Sequence, residues 1–206
     1  MLTVWGRENS TNVKKVLWLL DELGEMYQVI NAGGAYGKLS EPLYLSLNPN
    51  GLVPCLQDDD FILWESNAIL RYLAERSGNP AFWGSDARQR ASADKWLDWV
   101  SSSLPVPFRQ VFINLVRTPE DQRDMAAVKT GMAAFEKQWA VVDAVLAKQT
   151  WLSGEKFGLG DIPMGCFAYA WFGLDIERQP HPHLERWYQQ LTQRPAYRKR
   201  VMIPLS

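Results

Sequence analysis

A cluster of small polar side chains follows the first apolar segment of the chain. The stretch GRENSTN, residues 6–12, lies between a short apolar run and a helical pattern that begins at Val13. Ser10, Thr11 and Asn12 would therefore stand at the N-terminus of the first helix, where side-chain oxygens accept hydrogen bonds from free N–H groups. The same turn could instead hold an anion such as a thiolate, because a helix N-terminus favours negative charge. The stretch thus predicts a helix cap, an anion site or both.

Two further motifs, LVPCL and WESNAI, carry groups that could hold a peptide. A Val53–Pro54 bond before a strand is a candidate for the cis form, which would turn the Val53 backbone N–H and C=O outward to pair with an extended chain. Glu65 and Ser66 lie where a strand ends and a helix begins, so free N–H groups, a hydroxyl and a carboxylate converge there. Each motif alone could be a hairpin proline or an ordinary helix cap. Together they predict a site for an amino acid or a peptide.

An α/β unit must position these motifs. The apolar pattern predicts a strand over 2–5, a helix over 12–23 and a second strand over 27–32. A short helix over 43–47, a hairpin with strands 53–56 and 61–64, and a closing helix over 65–77 follow. The loop GGAYGK follows the second strand and is expected to be mobile.

The rest of the chain is predicted to be all helical. An apolar stripe with alternating steps of three and four residues predicts one long helix with a core-facing side; its members are Met125, Val128, Met132, Phe135, Trp139, Val142 and Leu146. A helix over 87–104 should bend or stop at Pro105 and Pro107. The expected domains are 1–77 and 87–206. The linker 78–86 contains two aromatic residues, which predicts tight docking of the domains.

Composition and charge exclude several functions. The chain has 206 residues, 47% of them hydrophobic, and a net charge of −1 without a basic stripe, so we expect no nucleic-acid partner. No apolar stretch is long enough for a bilayer, which argues against a membrane protein. Two distant cysteines and the lack of a signal peptide predict a cytoplasmic protein without disulfides. His181 and His183 are too isolated for a metal site, and we expect no metal and a solvated loop there.

The order of motifs resembles a known family. NPNGLVPCL, then LWESNAILRYLAE, then GLGDIPMGCF in the helical half is similar to the cytosolic glutathione transferases over essentially the whole chain, above all to their bacterial, theta-like branch with a serine near the N-terminus. The resemblance implies an α/β thioredoxin-like N-terminal domain that binds glutathione and an all-α C-terminal domain that lines a pocket for an electrophilic, largely apolar co-substrate. It also implies a homodimer with a role in detoxification.

The same resemblance implies roles for individual residues. Ser10 matches the serine whose hydroxyl donates to the glutathione sulfur, and Asn12 is the alternative donor at this turn. Val53 matches the residue whose backbone pairs with the cysteinyl unit of glutathione, and Pro54 matches the family's cis-proline. Glu65 and Ser66 match the pair that receives the γ-glutamyl end.

Two motifs depart from the family pattern. Asn50-Gly51 offers no cation for the glycyl carboxylate where many relatives have a histidine, and Lys38 in the GGAYGK loop is the candidate replacement. In the helical half, Gly158 stands where the family has the Ser or Thr of a capping box, so Asp161 would serve the helix N-terminus without the reciprocal bond.

The co-substrate pocket is assigned by analogy to one set of residues: Arg7, Phe108, Arg109, Phe112 and Trp171. Their alternative interpretation is an aromatic core beside solvated arginines. Cys55 could form a mixed disulfide with glutathione, but its position after Pro54 predicts a buried, inert thiol, as for Cys166.

The sequence therefore predicts a glutathione transferase. The activated thiol could attack an electrophilic carbon, a peroxide or a disulfide. The alternative function is a non-catalytic member of the same fold that holds glutathione or an apolar ligand or binds other proteins.

Overall fold

The computed structural model describes all 206 residues, and its N-terminal part is built on a four-stranded sheet. The strand order is β2-β1-β3-β4, with β2 parallel to β1 and the other pairs antiparallel. The strands are β1 Leu2–Trp5, β2 Tyr27–Ile30, β3 Cys55–Asp58 and β4 Phe61–Trp64. The helices of this part are α1 Thr11–Leu23, α2 Pro42–Leu47 and α3 Ser66–Ser77.

The C-terminal part is helical. Its helices are α4 Pro80–Trp83, α5 Ala87–Ser103, α6 Pro105–Phe108, α7 Met125–Leu146, α8 Asp161–Gly173, α9 Pro182–Thr192 and α10 Pro195–Arg200. A π-helical segment, Arg109–Arg117, continues directly from α6. Short 3₁₀ turns occupy Gly34–Tyr36 and Glu120–Gln122. No helix in the structure has both the length and the apolar character that a membrane span needs.

α1 is the central helix of the molecule. Its residues from Val13 to Leu20 are all buried, because α3, α8 and α10 pack against the helix and sheet residues such as Val4 and Leu56 share its core. Gly24 ends the helix in the left-handed conformation with φ 68°, which a residue without a Cβ adopts at low cost. Two lysines, Lys14 and Lys15, lie within this buried stretch.

The observed boundaries differ from the predicted ones near prolines. β3 begins at Cys55, two residues later than predicted, because Pro54 has no N–H to donate to the sheet. Pro105 ends α5 as predicted but also begins α6, since the first helical position needs no N–H donor. Pro107 lies inside the same helical run, where the structure shows no break.

The helical part differs from the prediction at Met125 and His181 and agrees with it at Phe82. Met125 begins α7 and is 58% exposed, so it does not belong to the buried stripe, whose members Phe135 and Trp139 are fully packed. His181 is not solvated, since its Nε2 lies 2.7 Å from Oε2 of Glu136. Phe82 in the linker is buried and meets Phe157 edge to face at 5.9 Å between ring centroids, as the tight docking requires.

Candidate functional site

A cleft of about 590 Å³ lies between the N-terminal and helical parts. The N-terminal part contributes the β1–α1 turn, the residues before β3 and the start of α3, and the helical part contributes α5, α6, the π-helical segment and one side chain of α8. The residues that line it are Arg7, Ser10, Thr11, Asn12, Lys15, Gly33, Gly34, Leu39, Leu52, Val53, Glu65, Ser66, Val100, Ser101, Pro105, Phe108, Arg109, Ile113, Arg117 and Phe167.

Ser10 takes the N-cap position of α1 but does not cap the helix with its side chain. Its backbone is extended, with φ −79° and ψ 125°, and its carbonyl accepts from the backbone N–H of Lys14 at 2.9 Å. The hydroxyl makes no hydrogen bond to the first helical N–H groups. The expected side-chain cap is therefore wrong, and the hydroxyl can donate to a group in the cleft. Thr11 and Asn12 line the same cleft, and Asn12 is exposed.

The peptide-binding motifs meet at the N-terminal wall of the cleft. Val53, Glu65 and Ser66 all line the cleft, and the Val53–Pro54 peptide is cis. Pro54 itself is buried beneath this wall and borders a small adjoining cavity of about 60 Å³. Glu65 has φ 74°, an unfavourable value for a residue with a side chain, which costs about 1–3 kcal/mol. Such strain is typical of positions where the local geometry serves a binding site.

Lys15 is a site residue that the sequence analysis missed. Its side chain lines the floor of the cleft although the residue is only 3% exposed. Its Nζ lies 3.4 Å from Oγ of Ser66 and 3.5 Å from Oδ1 of Asn67. Burial lowers the pKa of this ammonium to about 8, and the negative charge of nearby Glu65 acts against that shift. The signal in the sequence was a pair of lysines inside the otherwise apolar stretch 13–20 of α1.

Asn67 joins this wall of the cleft to the helical part. While its Oδ1 faces Lys15, its Nδ2 donates to the carbonyl of Leu97 at 2.5 Å and to Oγ of Ser101 at 2.9 Å. Ser101 lines the cleft from α5. A polar chain from Lys15 through Asn67 to Ser101 therefore fixes the start of α3 against α5.

Lys14, the neighbouring lysine, points elsewhere. Its Nζ donates to the carbonyl of Val201 at 3.1 Å and lies 5.1 Å above the ring of Tyr169. Burial lowers its pKa as well. Lys14 connects α1 to the C-terminal residues and does not line the cleft.

The structure brings together most, but not all, of the predicted co-substrate pocket. Arg7, Phe108 and Arg109 line the cleft. Phe112 stands behind it and stacks on Phe108, with ring centroids 4.7 Å apart. The predicted place of Trp171 in this pocket is wrong. Its side chain is 2% exposed and packs in the core of the helical part, 5.1 Å from Phe135 between ring centroids.

Lys38 also lies outside the lining. The following residue, Leu39, does line the cleft, while Lys38 is half-buried with φ 71° beside the 3₁₀ turn Gly34–Tyr36. The cleft has other cations that the sequence analysis did not single out, above all Arg117 of the π-helical segment.

Both cysteines are buried and free. Burial raises the pKa of Cys55 to about 11 and that of Cys166 to about 12, so neither is a thiolate near neutral pH. Neither side chain lines the cleft. The geometry agrees with inert core thiols and gives no support to a mixed disulfide at Cys55. No three His, Cys, Asp or Glu side chains come together as a metal site.

Comparison with known proteins decides the family. The profile described as "Glutathione S-transferase, N-terminal domain" matches residues 1–75, and the profile described as "Glutathione S-transferase, C-terminal domain" matches residues 106–195. Glutathione S-transferase GstB of Escherichia coli K12 is 50% identical over 208 residues, with all of both chains covered. The chain belongs to the glutathione S-transferase family.

The glutathione S-transferase fold is equally clear from solved structures. A theta class glutathione S-transferase from Xanthomonas axonopodis pv. citri with glutathione bound matches with a TM-score of 0.96 and 48% identity, covering 100% of this chain and 99% of that one. The apo form from the same organism matches with a TM-score of 0.87 and 43% identity, covering 100% of this chain and 98% of that one. This chain is thus an enzyme of the transferase family with glutathione as its co-substrate.

The departure at Gly158 also has a structural reason. A Cβ added there would lie 2.7 Å from the carbonyl oxygen of Ala81 and 3.0 Å from Oγ of Ser153. Ser153 fills the space that a side chain at residue 158 would need, and its Oγ accepts from the backbone N–H of Gly160 at 2.9 Å. Asp161 still accepts from the N–H of Gly158 at 3.1 Å, so that half of the capping box is kept.

Proposed function

We propose that this transferase binds glutathione along Val53, Glu65 and Ser66 and holds its sulfur as a thiolate beside Ser10. The observation that carries the proposal is the Ser10 hydroxyl, which lies at the N-terminus of α1, lines the cleft and is not used by the helix. Asn12, two residues further on, is the alternative donor.

The energies suffice for thiolate formation. A free thiol has a pKa near 8.5, so about 3% of it is ionised at pH 7, and lowering the pKa by about 2 units requires about 2.7 kcal/mol. A hydrogen bond to a charged acceptor supplies about 1.5–3 kcal/mol and a helix N-terminus about 0.3–1 kcal/mol. One hydroxyl and one helix end therefore account for the shift.

Glutathione would lie across the N-terminal wall of the cleft. Its cysteinyl backbone would pair with Val53, and its γ-glutamyl ammonium and carboxylate would meet Glu65 and the hydroxyl and N–H of Ser66. Lys15 beneath Ser66 adds positive charge for that carboxylate. The glycyl carboxylate would extend towards Leu39, where Lys38 becomes its partner only if the lysine side chain turns into the cleft.

The reaction follows from these positions. The thiol proton leaves to solvent, the sulfur forms a bond to an electrophilic carbon, and the leaving group departs with its electron pair. A peroxide or a disulfide is a further possible electrophile for the same thiolate. The apolar residues on the helical side, Phe108 and Ile113 among them, exclude water around the reacting carbon.

The test is the thiol pKa of bound glutathione, followed by ultraviolet thiolate absorbance against pH. We expect a pKa about 2 units below that of free glutathione in the wild type and a recovery of most of that shift in Ser10→Ala. Ser92→Ala, an exposed serine on α5, is the matched control and should behave as the wild type.

Two results would contradict the proposal in different ways. An unchanged shift in Ser10→Ala together with a loss of the shift in Asn12→Ala would move the role to Asn12. A wild type that fails to bind glutathione at millimolar concentration by calorimetry would remove the thiolate mechanism altogether.

The organisation of the molecule is also part of this proposal. We assign residues 1–77 to a glutathione-binding domain and residues 87–206 to a helical domain, joined by the linker 78–86. The end of α3 at Ser77 and the start of α5 at Ala87 support these boundaries. A cytoplasmic homodimer, which the family resemblance implies, would be tested by light scattering and by fractionation.

A further inference from the structure

The cleft is lined by four cations and a single carboxylate. Arg7, Lys15, Arg109 and Arg117 face it, and Glu65 is the only acidic side chain in the lining. The whole chain has a net charge of −1, so this excess of positive charge is local. A cleft with one sign of charge concentrates ligands of the opposite sign.

None of these four cations has an Asp or Glu carboxylate within 4.0 Å. Four other arginines of the same chain, Arg71, Arg76, Arg194 and Arg200, all form ion pairs within that distance. The arginines of the cleft differ from these four in having no Asp or Glu partner. Arg109 and Arg117 are exposed at the cleft, and the local excess of positive charge would attract a ligand that supplies negative charge.

The three arginines keep donors available. Arg7 uses one guanidinium nitrogen on Oδ1 of Asn9 at 2.5 Å, and Arg117 uses two on an oxygen of Ser206, the last residue of the sequence, at 3.1 and 2.8 Å. Arg109 makes no hydrogen bond to the protein and no ion pair. A guanidinium group has five N–H donors, so each side chain can still bind an anion. Burial and the nearby charge of Arg7 lower the pKa of Arg117, so these two cations lie close together.

Glutathione does not account for all of this charge. Its proposed site lies at Val53, Glu65 and Ser66, on the wall where Lys15 stands. Arg109 and Arg117 come from the opposite wall, on and next to a surface of apolar side chains that includes Phe108 and Ile113. These two arginines therefore face the place of the second substrate.

We propose that the second substrate of this transferase is an electrophile with an apolar body and an anionic group, and that Arg109 and Arg117 bind the anionic group. This inference rests on the glutathione conjugation proposed above and names its substrate class. It replaces the expectation of a largely apolar co-substrate. A carboxylate is the simplest such group, because a guanidinium binds it through two parallel hydrogen bonds.

A matched pair of electrophiles tests the proposal: 4-chloro-3,5-dinitrobenzoate, which is anionic, and 4-chloro-3,5-dinitrobenzamide, which is neutral. In both, the glutathione sulfur bonds to the ring carbon that carries chlorine, and chloride leaves with the bonding electrons. The measured quantity is kcat/KM divided by the rate constant of the uncatalysed reaction with glutathione. This ratio removes the difference in intrinsic reactivity between the two compounds.

We expect the wild type to prefer the benzoate by about tenfold or more. Arg109→Gln and Arg117→Gln should each lower the ratio for the benzoate about tenfold and change that for the benzamide by about twofold at most. Lys129→Gln removes one charge from an exposed position of α7 and is the control for net charge. Since Arg109 has no protein partner, its substitution keeps the test valid even if the Arg117 variant does not fold.

The failures of the two proposals are distinguishable. Equal acceleration of both compounds, or a benzoate preference that persists in Arg109→Gln, would overturn the anionic substrate and leave glutathione conjugation standing. Acceleration of neither compound would overturn both proposals.

Discussion

At the scale of single residues, charge in the cleft is set by burial as much as by residue type. Lys15 is buried, its Nζ lies 5.7 Å from the ring centroid of Phe167, and its only polar partners are Ser66 and Asn67. The loss of hydration lowers its pKa to about 8, because burial penalises the charged form. Lys15 therefore loses its proton at a lower pH than an exposed lysine does.

Lys15→Met tests this assignment through stability. Between pH 8 and 10.5 the native protein has lost a proton that the unfolded chain still binds, so the free energy of unfolding rises with pH in that window. Methionine removes this contribution. The free-energy difference between wild type and Lys15→Met should shift in favour of the wild type by up to about 3 kcal/mol over the window, measured by urea unfolding at several pH values.

The comparison needs a second lysine variant. Lys129→Met changes an exposed lysine and should show little pH-dependent difference from the wild type over the same range. Other titrating groups without a charge interaction with Lys15, such as Cys55, are common to all three proteins and cancel. A difference between wild type and Lys15→Met that stays constant from pH 8 to 10.5 would show that the Lys15 pKa is not lowered.

Residue types alone predicted part of the site. Ser10, Val53, Glu65 and Ser66 could be named because their motifs are local, and all four line one cleft. Lys15 and Arg117 could not be named, because whether a basic side chain faces solvent or a cleft depends on what packs around its helix. Trp171 was misplaced for the same reason, since a tryptophan fits either a pocket wall or a core.

At the scale of elements, the N-terminus of α8 is organised by one buried carboxylate. Asp161 accepts from the backbone N–H groups of Leu152 at 2.7 Å, Ser153 at 3.3 Å and Gly158 at 3.1 Å, and from Nε1 of Trp187 at 2.8 Å. Burial raises the pKa of this carboxyl group, while the hydrogen bonds act in the opposite direction. The carboxylate thus connects the loop before α8 to α8 itself and to α9.

Asp161→Ala should be strongly destabilising. It would leave several donors buried without an acceptor, and each such group costs about 1–3 kcal/mol. We expect a loss of at least about 3 kcal/mol in the free energy of unfolding, measured by urea denaturation. Asp175→Ala, an exposed aspartate beyond the end of α8, is the control and should change little. A loss below about 1 kcal/mol for Asp161→Ala would mean that solvent or other groups replace the carboxylate.

At the scale of the whole molecule, the two parts share one core. Trp18 of α1 is fully buried against residues of the helical part, with ring centroids 4.7 Å from Tyr197 and 5.6 Å from Phe157. The Tyr197 hydroxyl donates to the carbonyl of Gly165 at 2.8 Å. Arg194 adds two hydrogen bonds to Glu22 at 2.8 and 2.6 Å. These contacts hold the two walls of the cleft at a fixed distance.

Gly165→Ala should weaken the packing of Trp18 between the N-terminal and helical parts. A Cβ at residue 165 would lie 2.8 Å from Cζ3 of Trp18 and 3.0 Å from Cδ1 of Leu191, closer than real Cβ atoms approach such groups. Trp18 has little freedom to move, because its Nε1 also donates to Glu22 at 2.9 Å. We expect a loss of about 1–3 kcal/mol in the free energy of unfolding and weaker glutathione binding, measured by denaturation and calorimetry.

Gly173→Ala provides the control for this prediction. It lies at the end of the same helix, where the nearest atom to an added Cβ is the flexible end of Leu205 at 3.0 Å. This variant should bind glutathione as the wild type does. If Gly165→Ala were as stable as the wild type, the shared core would be looser than its contacts indicate.

The sequence by itself determined the order of elements, the motifs of the glutathione wall and the family, because these depend on local periodicity and on short runs of residues. Only the tertiary structure decided which helix faces meet across the cleft. The excess of cations there, with Lys15 from α1 and Arg117 from the π-helical segment, comes from residues distant in the chain. Charge excess, burial and pKa shifts arise from neighbours in space, and one-dimensional patterns do not record those neighbours.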